Sequence, residues 1–303
     1  MEKLIGLNGV FAVFKPAGET SARTIDRLKN TLIRTALGPS ASNKHAFKNL
    51  SRQIKVGHGG TLDPMATGVL VVGLNSGCKE LGKYLTGSKS YLAEGRFGEH
   101  FDTLDRTGKM LQMDEEWEVK VDKVQEIIPK FVGEAVMQVP PAFSAIHVNG
   151  KRAYDIARKE SNKAASEDGT VASDTAASNT AASETAADPE TIPVASDSTP
   201  VTPLHPQKEA SFDIPARPVA IHSLTYTPLS LPVFQLSVTC GGGCYIRSLI
   251  RDIAAEVGTL AHMTELERTQ QGIFTVEMCL GDEKDWSDFE KIEEAINKAK
   301  SLL

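Results

Sequence analysis

The densest group of chemically capable residues is Gly57-His58-Gly59-Gly60-Thr61-Leu62-Asp63-Pro64-Met65-Ala66-Thr67-Gly68-Val69-Leu70. It sets glycines, a histidine, a carboxylate and a proline ahead of an apolar run. Glycine lets backbone approach a ligand closely. A carboxylate held in such a loop can act as nucleophile or base, or it can simply cap a turn. The block is not a phosphate-binding P-loop, because no Gly-Lys-Ser/Thr follows at the required spacing. Other residues carry two readings in the same way. Arg247, on a helix after a glycine-rich turn, can serve a surface ion pair or face a site. Tyr91 and Tyr245 fit a core or an aromatic platform, and His58 fits a turn spacer or a ligand contact. Lys15, Lys44, Lys48, Arg52 and Lys55 could meet phosphates or line a solvated loop.

Charge is distributed unevenly around these residues. The chain of 303 residues has a net charge of −6. Residues 1–112 carry 16 Lys/Arg against 9 Asp/Glu, a net of +7, and the later segments supply the acidity. Local charge is what a phosphate backbone senses within a Debye length, so the segment holding the motif remains suited to a nucleic acid. The cysteines Cys78, Cys240, Cys244 and Cys279 form no repeated CxxC pair. Cys240 and Cys244 are near in sequence, but two thiols do not complete a zinc site, and reduced, mostly buried thiols are expected. No apolar run reaches the ~18 residues of a membrane helix. Met1 to Asn8 carries neither signal nor transit pattern, which points to a soluble intracellular protein.

The elements that must position these residues alternate along the chain. Strands are expected at Val10–Phe14, Val69–Leu74, Tyr91–Phe97, Pro218–Tyr226 and Val233–Thr239. Helices are expected at Ser21–Leu37, where Gly38 and Pro39 stop the run, at Tyr245–Val257 and around Phe289–Lys300. Val121, Val124, Ile127, Ile128 and Phe131 have the spacing of one amphipathic helix. Residues 40–56 read as a polar, basic loop. From 161 to 208 the composition turns to Ala, Ser, Thr, Asp, Glu and Pro, which cannot bury enough surface to offset ordering entropy. That segment reads as a disordered insertion dividing a catalytic domain into residues 1–160 and 209–303. The pattern predicts an α+β fold on an extended, largely antiparallel sheet.

The glycine-rich block resembles the signature of the TruB branch of pseudouridine synthases, most closely its animal-type members. The likeness continues through Phe14-Lys15-Pro16-Ala17-Gly18, Lys89-Ser90-Tyr91 and Asp102-Thr103-Leu104-Asp105-Arg106-Thr107-Gly108. It extends to Gln138-Val139-Pro140-Pro141-Ala142-Phe143-Ser144-Ala145, Ala216-Arg217-Pro218-Val219, Gly243-Cys244-Tyr245-Ile246-Arg247-Ser248-Leu249 and Leu266-Glu267-Arg268-Thr269. These motifs cover nearly all the chain outside the insertion, in the family's order. His147 stands where the family usually has lysine, and Cys244 where it has Phe or Thr. The C-terminal PUA domain of bacterial members has no expected counterpart, since about 29 residues follow Phe274.

The resemblance implies the pseudouridine synthase fold, a mixed sheet flanked by helices. It implies isomerisation of uridine 55 in the tRNA T-loop, by breaking the glycosidic bond, turning the uracil and rejoining it through carbon 5. By resemblance Asp63 is the essential carboxylate and Arg247 pairs with it. Tyr91 stacks on the uracil and can take up a proton, Tyr245 stands beside the pocket, Leu266 lines it, and His58 contacts RNA and helps hold the flipped nucleotide. The target lies inside a folded loop and must be extruded. No cofactor, metal, membrane or guide RNA is implied, and a monomer is expected, acting in nucleus, cytosol or mitochondrion. T-loop-like mRNA sites are a further expected substrate. Two rival readings are an RNA-binding tRNA-folding chaperone with incidental catalysis, and the catalytic subunit of a guide-RNA particle, as in the related dyskerin branch.

Overall fold

The computed structural model describes residues 1–144, 146–148, 150–159 and 214–302. The insertion expected over 161–208 lies outside them, as does Ala145. The strands are β1 (Gly9–Lys15), β2 (Val56–His58), β3 (Thr67–Leu74), β4 (Lys89–Phe97), β5 (Glu99–Phe101), β6 (Met110–Met113), β7 (Gly133–Gln138), β8 (His147–Val148), β9 (Lys151–Arg152), β10 (Arg217–Pro228), β11 (Val233–Cys240), β12 (Ala261–Gln271), β13 (Phe274–Thr275) and β14 (Cys279–Leu280). One sheet runs β14-β1-β3-β12-β4-β11-β10-β7, with β2 added to β3 and β13 to β12. Neighbours are antiparallel except β1/β14 and β3/β12. This is the expected α+β architecture with an extended, mixed and largely antiparallel sheet.

Two sequence styles build the two halves of that sheet. β3 reads TGVLVVGL and is buried along nearly its whole length. A strand covered on both faces needs a continuous apolar run. β4 alternates, burying Lys89, Tyr91, Ala93, Gly95 and Phe97 while Leu92 is exposed. Helices α1 (Glu2–Gly6), α2 (Ser21–Leu37), α3 (Lys44–Gln53) and α4 (Leu81–Thr86) belong to the first part of the chain, followed by the short α5 (Val124–Ile127). α6 (Ile246–Glu256), α7 (Glu283–Trp286) and α8 (Phe289–Ser301) lie in the later part of the chain. Leu28, Leu32, Ile33, Leu50, Trp286, Ile292 and Ile296 form one core with Phe11, Val13, Leu70 and Val72. Ile246, Leu249, Ile250 and Ile253 of α6 form another with Phe97, Phe234, Leu236 and Met263. Each fully buried aliphatic side chain contributes roughly 1.5–3 kcal/mol. The halves meet at the short parallel seam Glu267↔Thr67 and Arg268↔Gly68.

Two local expectations are corrected. Residues 40–56 are not a loop: Asn43 Oδ1 accepts from His45 N and Ala46 N and opens α3, whose Leu50 is buried. A side-chain cap satisfies first-turn donors and fixes the start. The continuous helix expected over Val121–Phe131 is instead a chain of short turns, with only Val124–Ile127 α-helical between 3-10 segments. Pro129 supplies no N–H for a longer helix. The 17-residue α2 forms as expected, capped by Thr20 and closed by Gly38 at φ 53.

Candidate active site

Asp63 lies in the loop between β2 and β3, and side chains from several elements pin that loop. Lys15 Nζ donates to Pro64 O at 3.1 Å and Ala66 O at 2.6 Å. Ser21 Oγ accepts from Leu62 N at 2.9 Å. Gln271 Nε2 donates to Gly59 O at 2.8 Å. Arg268, wholly buried, donates from Nε to Val69 O at 2.7 Å and from Nη2 to Gly60 O at 3.2 Å. Gly68 has φ +106, and a Cβ there would lie 2.3 Å from the Arg268 carbonyl oxygen, so only glycine lets the seam close.

The first turn of α6 brings Arg247 to this carboxylate. Nη2 donates to Asp63 Oδ1 at 3.0 Å, and Nε lies 2.8 Å from Oδ2, although its N–H lacks an aligned acceptor. Nη1 donates to Thr103 O at 2.8 Å, and Nη2 also to Phe143 O at 3.0 Å. The arginine side chain is 5% exposed and the aspartate 31%. The pair therefore presents a partly exposed carboxylate held by a buried cation. The Asp102–Gly108 stretch is the scaffold for that cation. Asp105 Oδ1 accepts from Thr103 Oγ1 at 2.8 Å and Thr107 N at 2.9 Å, which holds the Thr103 carbonyl toward Arg247. Gln138 fixes the start of α6, accepting from Tyr245 N at 2.8 Å and donating to Tyr245 O at 3.1 Å.

Tyr91 and Leu266 belong to the same apolar cluster as Leu62, Met65 and Ala66 of the Asp63 loop. Burial pushes the Tyr91 phenol up to about 12, so it stays protonated near neutral pH. Burial also raises Tyr245, whose phenol senses both Arg247 and Asp63. His58, on β2 opposite Val72, is lowered first by burial and then by Arg268. Its Nδ1 lacks a protein hydrogen-bond partner among the described residues.

The basic residues divide. Lys44, Lys48, Arg52 and Lys55 are exposed on or just after α3. Lys15 does not join them, and its expected phosphate contact is corrected. It is fully buried, and its ammonium is bound to the carbonyls of Pro16, Pro64 and Ala66. Burial lowers it to about 8, against the pull of Glu19 and Asp63. Lys89 is a second such lysine, bonded to Leu85 O and Gly87 O and lowered to about 8 by burial and by Arg268. The supporting roles of Arg268, Lys89, Gln138 and Gln271 are not readable from composition. Their signal is position, polar residues in phase with buried ones along strands. The Cys240 and Cys244 thiols are close enough to shift each other's titration, and all four cysteines are free. Among the described residues no group of three or more His, Cys, Asp or Glu is disposed to hold a metal, and no helix is long and apolar enough to cross a membrane.

A split sheet with an arginine-held aspartate in a glycine-rich loop, beside a buried tyrosine, is the arrangement of a pseudouridine synthase. Two family profiles match, TruB family pseudouridylate synthase (N terminal domain) over residues 48–181 and tRNA pseudouridylate synthase B C-terminal domain over 247–302. The chain belongs to the TruB family. It is 37% identical over 99% of its length to pseudouridylate synthase TRUB1 of Mus musculus, covering 73% of that protein. It is 30% identical over 98% of its length to tRNA pseudouridine synthase B of Clostridium tetani, covering 78% of that protein. In fold it is similar to a chain in the crystal structure of a Cbf5-Nop10-Gar1 complex, with TM-score 0.55 and 21% identity, spanning 97% of this chain and 60% of that one.

Proposed function

We propose that the protein isomerises uridine 55 of the tRNA T-loop to pseudouridine, with Asp63 as the catalytic carboxylate. The observation that carries this is the Asp63–Arg247 pair, 3.0 Å between Oδ1 and Nη2, set in a loop pinned from beneath and sharing an apolar cluster with Tyr91 and Leu266. The buried guanidinium favours the ionised aspartate and aims it. The reaction needs a carboxylate where the glycosidic bond breaks and a surface that keeps the detached uracil while it turns. Tyr91 and Leu266 provide that surface, Tyr245 flanks it, and His58 contacts the RNA and holds the flipped nucleotide. Lys44, Lys48, Arg52 and Lys55 meet backbone phosphates, which position the substrate without reading its bases.

The protein works as a monomer without guide RNA, selecting the T-loop by shape, and accepts mRNA sites that fold alike. Tyrosine, arginine and carboxylate come from one chain, which supports independence from a partner. Purified protein should release tritium from a 5-tritiated tRNA transcript. The release should vanish when uridine 55 is replaced. Turnover that appears only after a cell extract is added would contradict the stand-alone reading.

A further inference from the structure

β2 pairs with β3 in the register Val56↔Leu74, Gly57↔Gly73 and His58↔Val72, so the next pair is Gly59 and Val71. Alternate pairs of an antiparallel ladder exchange both N–H···O bonds. Here one of the two forms, from Gly59 N to Val71 O at 2.8 Å. The other is opened by a side chain from β12. Gln271 Oε1 accepts from Val71 N at 3.3 Å, and its Nε2 donates to Gly59 O at 2.8 Å. The carboxamide therefore stands between two groups that would otherwise meet, and Nε2 also donates to Tyr84 O at 3.2 Å. The residue is wholly buried. A primary amide suits such a post, since it offers an acceptor and two donors without a charge. The backbone is shaped to admit it. A Cβ on Gly59 would lie 2.8 Å from the Tyr84 Cβ, and one on Gly60 3.2 Å from Gln271 Nε2. The amide sits where β2 leaves β3, just after His58 and at the start of the loop that carries Asp63.

We propose that Gln271 is a positioning residue of the isomerisation. Its amide wedges the end of β2 off β3, and so sets the place of His58 and the direction in which the Asp63 loop departs. This rests on the isomerase reading above, in which His58 holds the flipped nucleotide. Without the wedge, Gly59 and Val71 close on each other and the loop shifts with them. A displacement of about 1 Å can lose ~100-fold in rate. Gln271, being buried, acts through this backbone alone.

The test is steady-state turnover of a tRNA transcript by the full chain, with a thermal melt of each variant. Gln271→Met keeps the length of the side chain and removes donor and acceptor together. It should lower kcat about 100-fold while KM stays within about 3-fold. In a His58→Ala background, where no ring is left to place, the same change should cost about 10-fold or less. Lys120→Met is the control for lost stability, because it breaks the buried pair with Asp114. It should lower the melting temperature and, where it stays folded, leave kcat within about 3-fold. Should Gln271→Met unfold at the assay temperature, Gln271→Glu takes its place, with the acceptor for Val71 kept and the donor to Gly59 lost. An unchanged kcat in the folded variant overturns the wedge. So do losses that multiply independently with those of His58→Ala, or a loss that Lys120→Met reproduces. Tritium release by the wild type, measured alongside, tests the isomerase reading separately, so these results count against the wedge alone.

Discussion

The molecule uses two buried arginines in opposite ways. Arg247 reaches outward to a carboxylate that is about a third exposed, its side chain fixed by the carbonyls of Thr103 and Phe143. Arg268 reaches inward, to the carbonyls of Gly60 and Val69. On the proposed function, the first region is the one that offers a charge to the substrate. The second holds backbone in place and is joined by Lys15 and Lys89, which also bind carbonyls. On that reading charge has two separate jobs, chemistry at the exposed carboxylate and fastening beneath it, and the difference predicts how each should fail.

The outward side should fail in rate. Asp63→Asn keeps volume and hydrogen bonding but not the carboxylate, so single-turnover rate should fall more than a hundredfold, at least about 2.7 kcal/mol of barrier. Filter binding of tRNA should change by about 10-fold or less, because phosphate contacts lie elsewhere. A variant retaining more than about a hundredth of the rate would end the distinction at its root. Arg247→Ala should cost less in rate, roughly 30-fold, but more in stability. It strands two buried carbonyls and an aspartate, about 3 kcal/mol at the lower end for a broken buried pair, read as a lower melting temperature.

The inward side should fail with pH. Lys15 and Lys89 lose their protons in the folded protein near 8, and in the unfolded chain near 10.5. Above 8 a neutral amine keeps fewer donors for the carbonyls, so turnover should decline as pH rises through about 8. Stability should move the other way. The unfolded state binds more protons between 8 and 10.5, so the fold is favoured as pH climbs across that window. Lys15→Arg should push the decline in turnover to higher pH, and activity flat to pH 10 would contradict the fastening role. The smallest effect belongs to the surface. Replacing Lys44, Lys48 and Arg52 by Gln should raise KM about 10-fold, leave kcat intact, and flatten the salt dependence of tRNA binding by about 2 in slope. An unaltered slope would remove α3 from the RNA path.

The outward side was the legible one. Asp63, Tyr91 and Arg247 sit in motifs dense enough to name, and the sheet class followed from strand and helix alternation. α3 escaped because Ala46, Phe47 and Leu50 are its few apolar residues among charged and polar ones, too sparse for a clear period. Lys15 was misplaced because β1 is buried on both faces. Where alternation is absent, the side a lysine faces cannot be inferred. Arg268 stood inside a recognised motif, but its task depends on strand register, which links it to Tyr91 and Gly68 and is set by tertiary pairing. The broken helix at Val121–Phe131 shows the limit of spacing when a proline interrupts it.

The seam between β3 and β12 also governs when this protein can exist as such during synthesis. Asp63 meets Arg247 across 184 positions of chain, and Val69 meets Arg268 across 199. At ribosomal speeds of about 5–20 residues per second, roughly 10–40 s separate the two partners. During that interval β3 has β1 along one edge, while on the other only β2 is present, paired at Val72–Leu74, and the Thr67–Gly68 end has nothing yet to pair with. Closure of so distant a contact carries a large loop entropy and is intrinsically slow. A nascent chain stalled before β12 would leave that end of β3 open to a neighbouring chain, so the last third of the sequence protects against aggregation as well as completing the site.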